Sequence, residues 1–164
     1  MQVKIRLYQD SDFKEYAAVL AQTWPRIGSD SEEIVRDRLK TLDEKGEQIW
    51  VAEVYGKATG FMLIYFENPP TPAELELKGE WLVIDWLDVH PDFQRKGFGT
   101  LLLKKAEEVA KNKNVSSIYT VTSVDDEKML GFSEKNHLKL GKRIKDFWGA
   151  GTGDAFVLTK TART

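Results

Sequence analysis

The stretch Leu87-Asp88-Val89-His90-Pro91-Asp92-Phe93-Gln94-Arg95-Lys96-Gly97-Phe98-Gly99-Thr100-Leu101 decides the fold of this 164-residue chain. Its first residues end a mostly apolar run that begins at Trp81, which is typical of a strand near the middle of a sheet. A turn with two glycines follows, and from Phe98 onward apolar residues recur at helical spacing. Because the first-turn N–H groups of a helix have no partner within it, and the helix dipole favours negative charge there, this turn could bind an anion.

Three interpretations of the two glycines compete. A P-loop needs Gly-x-x-x-x-Gly-Lys-Ser/Thr, which is absent here. A dinucleotide-binding fingerprint needs Gly-x-Gly-x-x-Gly near the start of a βαβ unit, whereas this sequence has Gly-x-Gly-Thr-Leu-Leu late in the chain. The third interpretation is a plain strand-to-helix turn in which glycine only relieves strain, and the glycines alone favour it.

On both sides of this segment, period-two and helical patterns predict the order β-α-α-β-β-β-α-β-α-β-β. That order favours one mixed α/β sheet and a single domain over residues 1–164. The predicted strands are 3–8, 48–54, 58–66, 81–89, 117–122, 138–148 and 154–161. Four helices are predicted. The first follows the caps at 10–12 and ends at Trp24, and the second spans 29–45. The third starts at Phe98, and the fourth spans 124–136.

The composition excludes several classes of function. A formal net charge of −2 gives no overall attraction to nucleic acid or to anionic lipid, so neither is expected as a partner. The absence of cysteine excludes disulfides, thiolate metal sites and a cysteine nucleophile, and two histidines argue against a metal cluster. Without an apolar signal segment or a run of about 18 apolar residues, a cytoplasmic protein is expected.

The phrase Gln94-Arg95-Lys96-Gly97-Phe98-Gly99 resembles the cofactor motif of the GNAT superfamily, Gln/Arg-x-x-Gly-x-Gly/Ala after a strand and at the head of a helix. The resemblance covers nearly the whole chain and implies a single mixed, mostly antiparallel sheet flanked by helices, with central strands splayed at the cofactor. It implies acetyl-CoA, with its pyrophosphate on the backbone of 95–100 and its pantetheine arm on the main chain of 87–89, beside strand 117–122. The implied cofactor residues are Leu87, Asp88, Val89, Gln94, Arg95, Lys96, Gly97, Phe98, Gly99, Thr100, Asp125 and Phe132.

The same resemblance implies direct acetyl transfer to an amine, with the leaving thiolate commonly protonated by a tyrosine on the last helix. That helix usually reads Asn-x-x-Ala-x-x-x-Tyr-x-x-x-Gly-Phe. Here Asp125 stands at the asparagine, or it is only an acid at the helix start. Phe132 falls on the tyrosine, or Ser133 does if the alignment shifts by one, and His137 replaces the glycine. Because neither side chain is a useful acid, water or Tyr119 is the expected proton donor.

Asp85 and Asp88 are the candidates for the base. Residues three apart in a regular strand face opposite sides, but a bulge between them, as the family has, would place both carboxylates on one face. The alternative is a structural ion pair, since a lone buried carboxylate is costly.

The closing segment resembles the final hairpin of protein N-terminal acetyltransferases, including the ribosomal-protein alanine type. Phe147 and Trp148 would line the peptide entrance, or would be strand aromatics packed on the core. Trp24, Arg26 and the loop 69–79 could form the other wall. An α-amine costs about 1 kcal/mol to deprotonate at pH 7 and a lysine about 4.6 kcal/mol, so a site without a strong base suits the α-amine.

Other acceptors and other functions stay open. The acceptor could be a small-molecule amine or a lysine. The chain could instead be a non-catalytic coenzyme A sensor, or a partner-binding module whose glycine turn is only structural. A monomer and a homodimer are both compatible with the sequence.

Overall fold

The computed structural model describes residues 2–162, and the order of strands and α-helices within them is the predicted one. The strands are β1 Val3–Leu7, β2 Gln48–Val54, β3 Lys57–Glu67, β4 Trp81–Val89, β5 Ser117–Ser123, β6 Lys139–Ile144 and β7 Ala155–Thr161. The helices are α1 Phe13–Thr23, α2 Ser31–Lys45, α3 Phe98–Asn112 and α4 Glu127–Lys135. None of the helices in the described part of the chain is long and apolar enough to cross a bilayer.

The strands form a seven-stranded sheet in the order β1-β2-β3-β4-β5-β7-β6. The β1–β2, β2–β3, β5–β7 and β6–β7 ladders are antiparallel. The β4–β5 ladder is parallel and pairs Leu82 with Ile118 and Val83 with Tyr119. The expected mixed, mostly antiparallel sheet flanked by helices is therefore confirmed.

The chain divides into two compact units, and the single-domain expectation stays a prediction. The first unit contains the residues up to 65 and Ile84–Ala106, and the second contains Phe66–Val83 and the residues from Glu107 onward.

In the first unit, α1 and α2 pack on β2 and β3 around a buried apolar cluster. Tyr16 of α1 stacks on Phe61 of β3, with ring centroids 4.1 Å apart. The turn that joins β2 and β3 is Tyr55-Gly56, and both residues have positive φ (52° and 76°), as a two-residue type I′ turn requires. The buried members of the cluster are Tyr16, Ala17, Val19, Leu20, Val35, Ile49, Val51, Ala58, Phe61 and Leu63.

In the second unit, the predicted start of α4 at Val124 is wrong. The Asp126 carboxylate accepts a hydrogen bond from the Met129 N–H at 3.0 Å and caps a helix that begins at Glu127. Asp125 lies before this cap and is exposed, so the acid at the helix start is Asp126 and not Asp125.

The predicted strand 138–148 is too long, because β6 ends at Ile144. Asp146 has a φ of 46°, which a strand cannot accommodate, and its N–H donates to the Asp154 carboxylate at 3.3 Å. The same carboxylate accepts from Arg143 Nε at 2.8 Å. Phe147 and Trp148 therefore lie in a turn, and the alternative that made them strand aromatics is wrong.

Candidate active site

The segment between β4 and α3 is held by its own side chains. His90 Nδ1 accepts from the Asp92 N–H at 3.1 Å, which starts a single 3₁₀ turn over Pro91–Phe93. Gln94 then donates its side-chain amide to the Val89 carbonyl at 2.9 Å. The motif glutamine thus ties the loop back to the end of the strand.

The turn at the tip of α3 presents backbone to solvent. Gly97 has a φ of 88°, and a Cβ built at this position would meet nothing within 4 Å, so an approaching group has room there. The Leu101 N–H bonds the Gly97 carbonyl at 3.0 Å where the helix begins. Amides at the very start of a helix precede its i→i−4 ladder, so the N–H groups of Phe98 and Gly99 can be offered to a ligand. The arrangement suits close contact between main-chain N–H groups and an anion.

The charges around this tip also favour an anion. Arg95 and Lys96 are both exposed immediately before the helix. The first turn of α3 contains no acidic residue, whereas the first turns of α1, α2 and α4 contain Glu15, Glu32 and Glu127. A diphosphate therefore fits the residues present at the tip of α3.

Phe98 points the other way. Its side chain is buried and stacks on Phe93, with ring centroids 5.5 Å apart. Only its main chain can contact a ligand at this tip, since the ring anchors the start of the helix.

The two candidate carboxylates of β4 have different environments. Asp85 is exposed, whereas Asp88 is only 4% exposed. Asp88 accepts from Trp24 Nε1 at 2.9 Å and from Arg38 Nη1 at 3.2 Å, one donor on each oxygen. Burial raises the pKa of Asp88, and the nearby Arg38 charge opposes that rise. The alternative of a structural ion pair, which the sequence leaves open beside a catalytic base, applies to Asp88.

Sequence reasoning missed Arg38, the partner of Asp88. Arg38 is 7% exposed and lies on the same face of α2 as Ile34, Val35 and Leu42, at helical spacing. A charged residue on an otherwise apolar helix face was the available signal, because such a charge needs a buried partner. The partner lies 50 positions away and could not be identified from spacing.

Trp24 and Arg26, the predicted acceptor residues of the first unit, follow the end of α1 and are both exposed. Trp24 contacts Trp86 of β4 edge to face, with ring centroids 6.1 Å apart. Its indole thus covers Asp88 while 44% of the residue stays accessible. The structure brings Trp24 to Asp88 and leaves Arg26 on the surface.

In the second unit, Tyr119 is buried at 3% exposure. Its hydroxyl donates to Glu67 Oε2 at 3.4 Å, and its ring meets Trp81 edge to face at 6.0 Å. A role for this hydroxyl as proton donor stays a prediction.

The backbone after α4 bears on the alignment of the last helix. His137 has a φ of 61°, and the following Leu138 N–H bonds the Ser133 carbonyl at 2.9 Å, as at a helix end that usually carries glycine. This backbone is consistent with the prediction that His137 stands at the motif glycine, and the assignment of Phe132 or Ser133 to the tyrosine position stays a prediction. The Ser133 hydroxyl is buried and donates to the Met129 carbonyl at 2.8 Å, while Phe132 is half-buried.

The predicted aromatic pair lies in the loop between β6 and β7. Phe147 and Trp148 meet edge to face, with centroids 5.1 Å apart, and Trp148 is 53% exposed. The Gly153 N–H bonds the Asp146 carboxylate at 3.2 Å and closes the loop. The pair is therefore presented on an ordered turn.

Comparison with known proteins gives consistent relatives. The profile of the "Acetyltransferase (GNAT) family" matches residues 12–137. The acetyltransferase YE1169 of Yersinia enterocolitica is 25% identical over 153 residues, covering 87% of this chain and 96% of its own length.

Two solved structures share the fold. One is a GNAT family acetyltransferase from Elizabethkingia anophelis with acetyl-CoA bound (TM-score 0.69, 19% identity, 97% of each chain). The other is the ribosomal-protein-S18-alanine N-acetyltransferase of Escherichia coli (TM-score 0.68, 15% identity, 99% of this chain and 96% of that one). With the family profile covering most of its length and the cofactor motif in place at the tip of α3, this chain belongs to the GNAT acetyltransferase family and is an acyltransferase.

Proposed function

We propose that this protein transfers the acetyl group of acetyl-CoA directly to a primary amine, and that its preferred acceptor is the α-amine of a protein or peptide N-terminus. The tip of α3 carries the proposal, since it combines helix-start amides, an unobstructed Gly97 and two exposed cations. Acetyl-CoA supplies an activated thioester whose carbonyl carbon is attacked by the neutral amine.

The chain's own residues divide the work of holding the cofactor. The amides of 95–100 bind the diphosphate, helped by the charges of Arg95 and Lys96. The main chain of Leu87–Val89 bonds the pantetheine arm and orients the thioester carbonyl. Gln94 keeps these two segments together through its bond to Val89.

Asp85 is the better candidate for the base. It is exposed, so an incoming ammonium group can reach it, whereas Asp88 is only 4% exposed. We therefore assign proton removal to Asp85, directly or through water, and a structural role to Asp88.

The thiolate can leave without a protein acid. The Ser133 hydroxyl is bonded within its own helix and is a very weak acid. With a thiol pKa near 8.5, departure as the thiolate costs only about 2 kcal/mol at pH 7. Water can protonate it afterwards.

Two observations support an N-terminal acceptor. The aromatic pair of half-buried Phe147 and exposed Trp148 offers an apolar wall for the first side chains of a peptide. One of the structural neighbours acts on the alanine N-terminus of a ribosomal protein. An α-amine also needs less help from a base than a lysine does.

Thiol release should be measured with acetyl-CoA and a panel of amines: peptides with a free N-terminus, the same peptides with a blocked N-terminus and an internal lysine, and small polyamines. The expected result is turnover of the free-N-terminus peptides, with a rate that levels off near pH 8 to 9 once the α-amine is neutral. Turnover of only the blocked peptides would indicate a lysine acceptor instead. Turnover of only the polyamines would indicate a small-molecule amine. Tight acetyl-CoA binding without turnover of any amine would contradict the transferase.

A further inference from the structure

The buried ion pair between Arg38 of α2 and Asp88 of β4 is an unusual feature of the first unit. Arg38 donates to Asp88 and, through the same nitrogen, to the Tyr16 hydroxyl at 2.6 Å. Its guanidinium also lies over the Trp86 ring, 3.9 Å from the centroid. One side chain of α2 therefore touches two residues of β4.

These two residues define the position of the strand. Because Arg38 contacts both Trp86 and Asp88, these two side chains of β4 reach the same buried side of the strand. Trp24 holds the second oxygen of Asp88 from the end of α1. Together these contacts restrain the position and the orientation of the backbone over 86–88.

The Arg38–Asp88 pair leaves one of its own donors unsatisfied. Within the described residues, Arg38 Nε is buried and has no hydrogen-bond partner. A buried donor without a partner destabilises a fold, and well-packed apolar residues often replace a buried ion pair without loss. The contacts of the pair therefore point to a role beyond stability, namely the accurate placement of the strand.

We propose that Arg38 is a positioning residue for acetyl transfer, acting through Asp88 and Trp86 to hold the backbone of Leu87–Val89 where it orients the thioester carbonyl. The inference rests on the proposed function, and it adds a residue far from the cofactor motif. Because the diphosphate is bound by another segment, at 95–100, loss of Arg38 affects the transfer step more than cofactor affinity. A small misplacement of reacting groups can lower a rate by about a hundredfold.

The test uses Arg38→Lys and Arg38→Gln, with Arg6→Gln as a matched control. Arg6 is also a mostly buried arginine of the first unit, bonded to the buried Asp12 at 2.7 and 2.8 Å, but it lies on β1. We expect both Arg38 variants to lose about tenfold or more in kcat, with the KM for acetyl-CoA changed less than about threefold. Arg6→Gln should lower thermal stability and keep the wild-type kcat at temperatures where it is folded.

A second measurement does not depend on activity. Hydrogen exchange of the free protein should become faster over residues 86–89 in Arg38→Gln and stay unchanged there in Arg6→Gln. In a double-mutant cycle, Arg38→Gln combined with Asp88→Asn should lose no more kcat than the worse single variant, because both act through one contact.

The outcomes separate the two proposals. A wild-type protein that transfers acetyl to no amine refutes the proposed function, whereas the exchange result still tests the strand. Wild-type kcat in folded Arg38 variants, an equal kcat loss in Arg6→Gln, or unchanged exchange over 86–89 would overturn the role of Arg38.

Discussion

Helices α3 and α4 begin in opposite ways. α4 is capped by Asp126, whose carboxylate accepts from the Met129 N–H at 3.0 Å, and Glu127 follows in its first turn. α3 begins after Gly97, which has no side chain, and two cations replace the acids. Both helix starts favour negative charge, but only α4 supplies its own. The comparison teaches that α3 is the helix start suited to bind an external anion.

The largest expected effect comes from giving α3 the carboxylate that α4 already has. Gly97→Asp should weaken acetyl-CoA binding about a hundredfold more than Gly97→Asn, because the two side chains have the same shape and only the aspartate repels the diphosphate. Both meet open space and the same backbone strain at a φ of 88°, so asparagine is the matched control. Equal affinities of the two variants in a calorimetric titration would refute the site.

Removing the cations should have a smaller effect. We expect the double variant Arg95→Gln and Lys96→Gln to bind acetyl-CoA about tenfold more weakly in low salt, and less so in high salt, because exposed charges are screened. Lys104→Gln with Lys111→Gln, on the exposed surface of the same helix, controls for net charge. A loss of the same size in the control pair would mean that the attraction is not local.

The cap of α4 should matter for stability. Asp126→Ala leaves the Met129 N–H without its side-chain acceptor, and the free energy of unfolding should fall by about 1 kcal/mol, whereas Asp126→Ser should keep most of it. Urea unfolding measures both variants. An unchanged midpoint for Asp126→Ala would show that α4 does not depend on this cap.

The smallest effect is expected at the other ends of the same two helices. α3 is followed by Asn114 and α4 by His137, both with positive φ (57° and 61°). Asparagine tolerates this conformation better than most residues, so His137→Gly should raise the free energy of unfolding by about 0.5 kcal/mol, and Asn114→Gly should change it less. A destabilised His137→Gly would contradict the assignment of this position to the motif glycine.

The parts of the fold with strong local signals were predicted well from the sequence. The bounds of β2 and β4 agree with the prediction, because turn residues such as Tyr55-Gly56 and the segment after Val89 delimit them. The errors lie where several local signals compete. Asp125 and Asp126 are both good caps, and the side-chain bond to Met129 chooses the second.

The candidate site divides in the same way. The anion-binding turn is a contiguous phrase and could be predicted, whereas the Arg38–Asp88 pair joins residues 50 positions apart and could not. The end of β6 likewise depends on Asp154. Its carboxylate accepts a hydrogen bond from the Asp146 N–H, eight positions earlier in the chain. Residues that meet from distant segments have no regular spacing in the sequence, so such contacts could not be predicted.

The most direct test of the account follows the backbone amides of the ¹⁵N-labelled protein by NMR while coenzyme A is added. We expect the largest shift changes at the N–H groups of residues 95–100, saturating with the affinity found by calorimetry, because these groups bond the diphosphate. Amides of 95–100 that stay unmoved at saturation, while others shift, would contradict the claim that the start of α3 binds the cofactor.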